Sequence, residues 1–192
     1  MFNEKATSSD TVAAGLVAKT GFGDNPRGGG VFHVQCFDKD GNLKWEDRMH
    51  NLVVNEGLQD MNTQYFKGSS YTGAFYMGLI TGPGSGTTYA ASDTLASHGG
   101  WTEFTNYSGS RKAMTFGSAT SADPSVISNS GSPSSFAITG AGGTVAGAFV
   151  CTVSSGTSGV LFSEADFQSP GDRVVVNGDT LNVTYTFSLD AA

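Results

Sequence analysis

The chain has 192 residues, a net charge of −7 and a pI of about 4.7, with 14% charged residues and 27 glycines. Its length suits one substantial domain, and 38% hydrophobic with 11% aromatic residues argues against disorder throughout. The acidic balance, without a basic stripe, argues against nucleic-acid binding by counterion release, and no apolar run approaches the ~18 residues of a membrane span.

Residues 1–29 read as an arm. Gly21 to Gly30, with Asn25-Pro26 and Gly28-Gly29-Gly30, has the composition of a linker. The apolar residues before it, among them Phe2, Val12, Leu16 and Phe22, suit ordering on a partner. Met1 to Ala18 lacks a basic segment followed by an apolar core, so no secretory leader is expected, and synthesis as a soluble protein in the cytoplasm is. Residues 30–192 are expected to form the folded domain.

Val31 to Phe37 reads as a strand, Asp38-Lys39-Asp40-Gly41-Asn42 as a turn and Leu43 to Met49 as the return strand of a hairpin. The turn is only loosely like a calcium loop: Gly41 comes too early for the loop glycine, and Glu46 too early for the closing ligand. Asn55 stands where a helix N-cap should. The helix runs to Phe66, with Leu58, Met61 and Tyr65 on one face expected to pack against a sheet.

Phe75 to Ile80 is an apolar run bounded by Gly73 and by Gly82-Pro83-Gly84-Ser85-Gly86, which predicts a buried strand followed by a turn. Without a following Lys-Ser/Thr, that glycine cluster does not make a phosphate cradle. Trp101 restarts an extended segment and is expected to fasten the far end of the loop. Asp93 is expected to cap a turn at Thr94 to Ser97, with His98 and Glu103 hydrogen-bonding to hold the loop. Asp93, Ser97 and His98 lie too close in sequence for a nucleophilic triad, and no Gly-x-Ser-x-Gly elbow is present.

Short strands are expected at Thr102 to Asn106, Ala113 to Phe116, Val126-Ile127 and Phe136 to Ile138, and a longer one at Val145 to Val153. Val160 to Phe162 reads as a short strand, Glu164-Ala165-Asp166-Phe167 as a single turn, and Val174 to Val176 as another strand. Asn177-Gly178-Asp179 has tight-turn chemistry. From Leu181 to Leu189 apolar and polar residues alternate strictly, the pattern of a half-buried antiparallel strand. Cys36 and Cys151 read as buried small hydrophobes. Tyr71, Tyr76, Tyr89, Trp101 and Tyr107 are either core and rim or an exposed sugar-binding face. About eight to ten such strands predict an all-β fold, an antiparallel β-sandwich or jelly-roll-like body with one short helix and an extended N-terminal arm. Acidic residues dispersed among turns do not form the carboxylate pair of a glycan hydrolase, so neither catalysis nor a cofactor is expected.

The run Asn51-Leu52-Val53-Val54-Asn55-Glu56-Gly57-Leu58, followed by Phe75 to Ile80, Tyr89, Asp93-Thr94, Ser97-His98 and Gly100-Trp101-Thr102-Glu103, is similar to small virion proteins of tailed bacteriophages. So is Val176 to Phe187, and the likeness covers roughly residues 31–192. The resemblance implies a non-enzymatic structural protein of the virion. The type compared is a capsid cement or decoration protein on the head surface, binding across neighbouring subunits of the major capsid protein. The alternative it leaves open is a tail- or head-fibre-associated protein that binds host-surface glycan. A homo-oligomer, dimer or trimer, would match the local symmetry axes of a shell. Residues 1–29 and the loop 81–100 are then the expected capsid-facing elements, with Phe2, Val12, Leu16, Phe22, Pro83, Tyr89 and His98 as candidate contacts.

Overall fold

Residues 27–68, 73–81, 88–167 and 171–190 are described by the structure, a computed structural model. In chain order they form β1 (Arg27–Phe37), β2 (Leu43–His50), β3 (Leu52–Val53), α1 (Asn55–Lys67), β4 (Tyr76–Thr81), β5 (Thr102–Phe104) and β6 (Lys112–Ala113). There follow β7 (Ser125–Ser128), β8 (Ser134–Ala137), β9 (Gly143–Val145), β10 (Gly147–Cys151), β11 (Leu161–Asp166), β12 (Arg173–Val175) and β13 (Thr180–Asp190). One sheet has the order β2-β1-β13-β7, with β8 also paired to β13; the other has the order β3-β11-β10-β4-β5, with β6 also on β4. The pairing is antiparallel within both sheets and in the β9–β12 ribbon. Their apolar faces meet in one core, so the predicted β-sandwich is present.

The alternation read in the last strand is the origin of this packing. Leu181, Val183, Tyr185 and Phe187 of β13 all point into the core, against Phe32 and Val34 of β1 and Met77, Leu79 and Val150 of the facing sheet. The strand β1 begins at Arg27, so Gly28-Gly29-Gly30 belongs to it and not to a linker. A Cβ on Gly30 would sit 2.8 Å from the Tyr185 hydroxyl and 2.9 Å from the Thr186 carbonyl oxygen. Glycine there lets the phenol lie across β1, where its oxygen accepts from Asn51 Nδ2 at 2.9 Å and from Ser163 Oγ at 3.3 Å. A buried tyrosine hydroxyl needs such partners.

In the β1–β2 turn the Asp38 carboxylate accepts from the backbone of Asp40 and Asn42 and from the Asn42 amide. Asp38, the first acidic residue of the loosely calcium-like turn, is thus used to shape the turn itself, while the Asp40 carboxylate pairs with Lys39. Among the described residues no cluster of three or more His, Cys, Asp or Glu side chains could hold a metal.

The second sheet is covered on both faces. Ala148 and Val150 of β10 face the first sheet, whereas Phe149 and Cys151 face a second apolar cluster with Val54, Ile80, Leu95, Trp101 and Leu161. Burial on both sides explains the continuous apolar run from Val145 to Val153. That run is two strands, not one: Ala146 breaks it by donating to the Ile80 carbonyl and accepting from Phe167 N–H.

Several expectations are corrected. Glu164 to Asp166 is not a turn but the second half of β11, in the middle of the sheet. The pairing of β10 with β11 runs Val150 to Ser163 and then Cys151 to Leu161, leaving Phe162 as the extra residue of a β-bulge. Asn55 does not cap α1; Val54 precedes the helix and no side chain makes a capping bond. The expected packing face of α1 is also rotated. Gly57 is the buried helical residue, and a Cβ there would lie 2.4 Å from the Phe162 carbonyl oxygen. This close approach turns Gly57 and Met61 toward β11 and leaves Leu58 and Tyr65 exposed. Trp101 and Tyr107 are buried and Tyr76 and Tyr89 half-buried, so these four are core and rim and make no exposed stacking face; Tyr71 lies outside the described residues. Cys36 and Cys151 are both buried and free.

Candidate functional site

Of the elements expected to face a partner, residues 88–100 are described, whereas Phe2, Val12, Leu16, Phe22 and Pro83 lie outside the described residues. The segment 88–101 lies over the outer face of the second sheet and is held there at several points. Thr88 N–H donates to the Gly100 carbonyl at 3.2 Å and closes the loop. A Cβ on Gly100 would lie 2.0 Å from the Thr88 carbonyl oxygen, so only glycine permits that closure. Asn55 N–H donates to the Ala91 carbonyl at 2.8 Å. The Glu56 carboxylate accepts from Leu95 N–H at 3.1 Å and from Leu161 N–H at 2.7 Å, so the first turn of α1 joins the loop to β11. Leu95 fills the cluster beneath.

Trp101 fastens the far end, as predicted. Its indole N–H donates to Glu164 Oε2 at 2.7 Å, and its ring packs on Phe149 with centroids 5.0 Å apart. His98 stacks on the opposite side at 3.7 Å and 13°, and its Nδ1 is 3.1 Å from the Trp101 carbonyl oxygen. Asp93 does not cap the Thr94–Ser97 turn. It closes backward on Ala90, accepting from Ala90 N–H at 3.1 Å and donating its own N–H to the Ala90 carbonyl at 2.9 Å. The turn instead uses Thr94 Oγ1 as acceptor for Ser97 N–H.

Glu164 is the residue that the sequence reading missed. It is fully buried. Its Oε1 makes no well-formed hydrogen bond and faces the Asp93 carboxyl, a contact that becomes O–H···O only when one of the two carries a proton. Burial pushes the Glu164 carboxyl up to about 8; the indole N–H opposes this, and Asp93 reinforces it. Burial thus favours the protonated form of Glu164. The Tyr89 hydroxyl is buried beside Asp166, and burial followed by Asp166, Glu164 and Asp172 pushes the phenol up. Tyr89 and His98, the two candidate contacts in this segment, both turn inward to hold the loop.

A second clamp secures the neighbouring segment. Glu103 does not bond to His98; it takes a two-pronged bond from Arg111, Nε to Oε1 at 2.9 Å and Nη2 to Oε2 at 2.8 Å. The same guanidinium donates to the carbonyls of Val153 and Gly156 and lies 5.1 Å from the centre of the Phe149 ring.

The result is a stiff cover with a plain exterior. The only Asp, Glu, Lys or Arg in residues 88–100 is Asp93, which is buried, while Ala90, Ala91, Ser92, Ala96 and Ser97 are exposed. Beneath it Glu164 is fully buried under the Trp101 indole and Asp93 is nearly so, and their bonds hold the loop. Elsewhere, a shallow depression of about 370 Å³ is lined by hydroxyls, glycines and the side chains of Phe116 and Val126, with no titratable group. No family model, curated protein or solved structure matches the chain.

Proposed function

We propose that the chain is a non-enzymatic structural protein of a tailed-phage virion, a cement or decoration protein that binds across neighbouring subunits of the major capsid protein. The observation that supports this reading most is the pinned segment 88–101. Its exposed residues are small and uncharged, and its one carboxylate side chain points into the protein. A surface of that kind abuts another protein without stripping water from charges, and charge depletion marks the centre of protein interfaces. Rigidity keeps the entropy cost of docking low. On a shell each weak contact is repeated by symmetry, so stiffness matters more than strong individual contacts. The resemblance of Asn51 to Leu58, Phe75 to Ile80, Tyr89, Asp93-Thr94, Ser97-His98, Gly100 to Glu103 and Val176 to Phe187 to small virion proteins of tailed bacteriophages is in keeping with this reading.

Quantitative mass measurement on purified heads and tails tests this reading. Copy number on the order of hundreds per head agrees with symmetric shell occupancy; a handful of copies confined to tails refutes it. The role of the arm is tested by a chain lacking residues 1–26, since β1 begins at Arg27 and a longer deletion would cut into the sheet. Head occupancy equal to that of the full chain would remove the arm from the proposal.

A further inference from the structure

Between the two sheets, beside β7, side chains leave the core unfilled. A cavity of about 110 Å³ lies there, walled by Phe75, Phe116, Phe162 and Phe187. Ile127, Val150 and the Tyr185 ring complete the lining. Close-packed interiors leave few gaps larger than a water molecule, and this one has room for several. The four phenylalanines run around it edge to face: Phe116 on Phe75 at 6.0 Å, Phe75 on Phe162 at 5.7 Å and Phe162 on Phe187 at 5.5 Å. Phe162 turns inward because it is the extra residue of the β11 bulge, whereas its neighbour Leu161 faces the outer cluster. Phe75, Phe116 and Ile127 are only half-buried and form the lip. Backbone bonds hold that lip in place: Met114 N–H donates to the Phe75 carbonyl and Gly117 N–H to the Ser128 carbonyl, both at 2.9 Å. Phe116 sits between those two anchors, which keep it from collapsing into the space.

We infer that this cavity is a binding site for a small neutral molecule carrying a single apolar ring. Water is a poor occupant, since no polar atom lines the space. The one hydroxyl among the lining side chains, that of Tyr185, is turned away to Asn51 and Ser163. A buried water needs at least about two such partners and would find none. Apolar cavities of this kind stay dry, and one of roughly 150 Å³ lined by leucine, isoleucine and phenylalanine takes benzene. The phenylalanine rings add edge-to-face contacts that suit an aromatic guest. Aromatic rings can also cage a quaternary ammonium. Here no carboxylate lines the wall, so a cation would give up its water without compensation.

Volume sets the upper limit on the guest. At about 110 Å³ the space is smaller than the cavity that takes benzene, so one ring is the most it holds and a fused double ring is excluded. The site is independent of the virion assignment. Its test uses the purified chain alone, so either can fail without the other.

Benzene is the probe, titrated into the purified chain while the methyl resonances are followed by nuclear magnetic resonance. Saturable shifts are expected at the Ile127 and Val150 methyls, with those of Leu181, at the opposite end of β13 from Phe187, unmoved. Ile127→Trp puts a larger ring into the mouth and is expected to weaken benzene binding, read at Val150, by at least about tenfold. Tetramethylammonium chloride and naphthalene are expected to leave the same methyls where they are. Ile127 and Val150 methyls that do not move in benzene-saturated buffer overturn the inference, and that result needs no variant. So does benzene binding unchanged by Ile127→Trp, or a response to tetramethylammonium or naphthalene equal to the response to benzene.

Discussion

Substituting Glu164 by Gln tests whether the buried carboxyl sets the pH dependence of the fold. The amide preserves an oxygen acceptor for the Trp101 indole and removes the proton. In the wild type the carboxyl titrates near 8 when folded, against an ordinary value of 4.5. A folded-state pKa raised in this way means that the stabilising contribution is fully present below about 4.5. It is lost as pH rises toward about 8. At ~1.36 kcal/mol per pH unit the full loss is on the order of 5 kcal/mol, of which about 4 kcal/mol falls between pH 5 and pH 9. The groups facing Glu164 are Trp101, Asp93, the Ala90 backbone and Tyr89, and all are retained in the variant. Urea unfolding of both proteins at pH 5, 7 and 9, followed by circular dichroism, measures the difference directly. Wild-type stability should decline with pH relative to the variant, which becomes the more stable protein in alkali. Parallel curves across the three pH values would show that Glu164 is not protonated in the folded chain and would sink the argument.

Three further outcomes follow from individual contacts. Gly57→Ala, which in an exposed helix would add about 1 kcal/mol of stability, should instead cost about 1–3 kcal/mol because its Cβ meets the Phe162 carbonyl oxygen; a rise in melting temperature would refute the close approach. Arg111→Met strands Glu103 and the carbonyls of Val153 and Gly156, at an expected cost of about 3 kcal/mol in urea. Arg111→Lys should recover only part of that, since one ammonium cannot reproduce the fork. Trp101→Phe removes the indole donor to Glu164 and should cost about 1–3 kcal/mol, with faster amide exchange at Leu95 than at Val183 as the local readout.

What could be read from the sequence was local. The alternation in β13, the Asp38 to Asn42 turn and the apolar run of β4 each announce themselves within a dozen residues, and each is where it was expected. Trp101 as the fastening residue was legible too, because a lone tryptophan after a long connection needs somewhere to bury its ring. Its partner was not. Glu164 lies 63 residues further on, and two acidic residues in four positions read as a turn when the covering loop is unknown. Only the pairing of β11 between β3 and β10 makes it a central strand. The helix failed for a similar reason. The spacing of Leu58, Met61 and Tyr65 located a helix correctly, yet the face that packs was chosen by Gly57 and the bulged backbone at Phe162, a contact spanning about a hundred residues of chain. Asn55 had the right chemistry for a cap, but the backbone enters the helix one residue earlier.

One consequence lies in how β1 and β13 are joined. They pair antiparallel along their whole length, with Arg27 opposite Asp190 and Phe37 opposite Thr180. The first and last described residues, Arg27 and Asp190, therefore sit side by side at one corner of the sheet. A tension applied between those two points would open the ladder one rung at a time, as a zip parts. A pull on the N-terminal side of β1 resisted instead at the far end of β13 would load all of its rungs at once, in shear. Where a load is attached thus matters as much as how tightly, and the same sheet is weak to one grip and tough to the other.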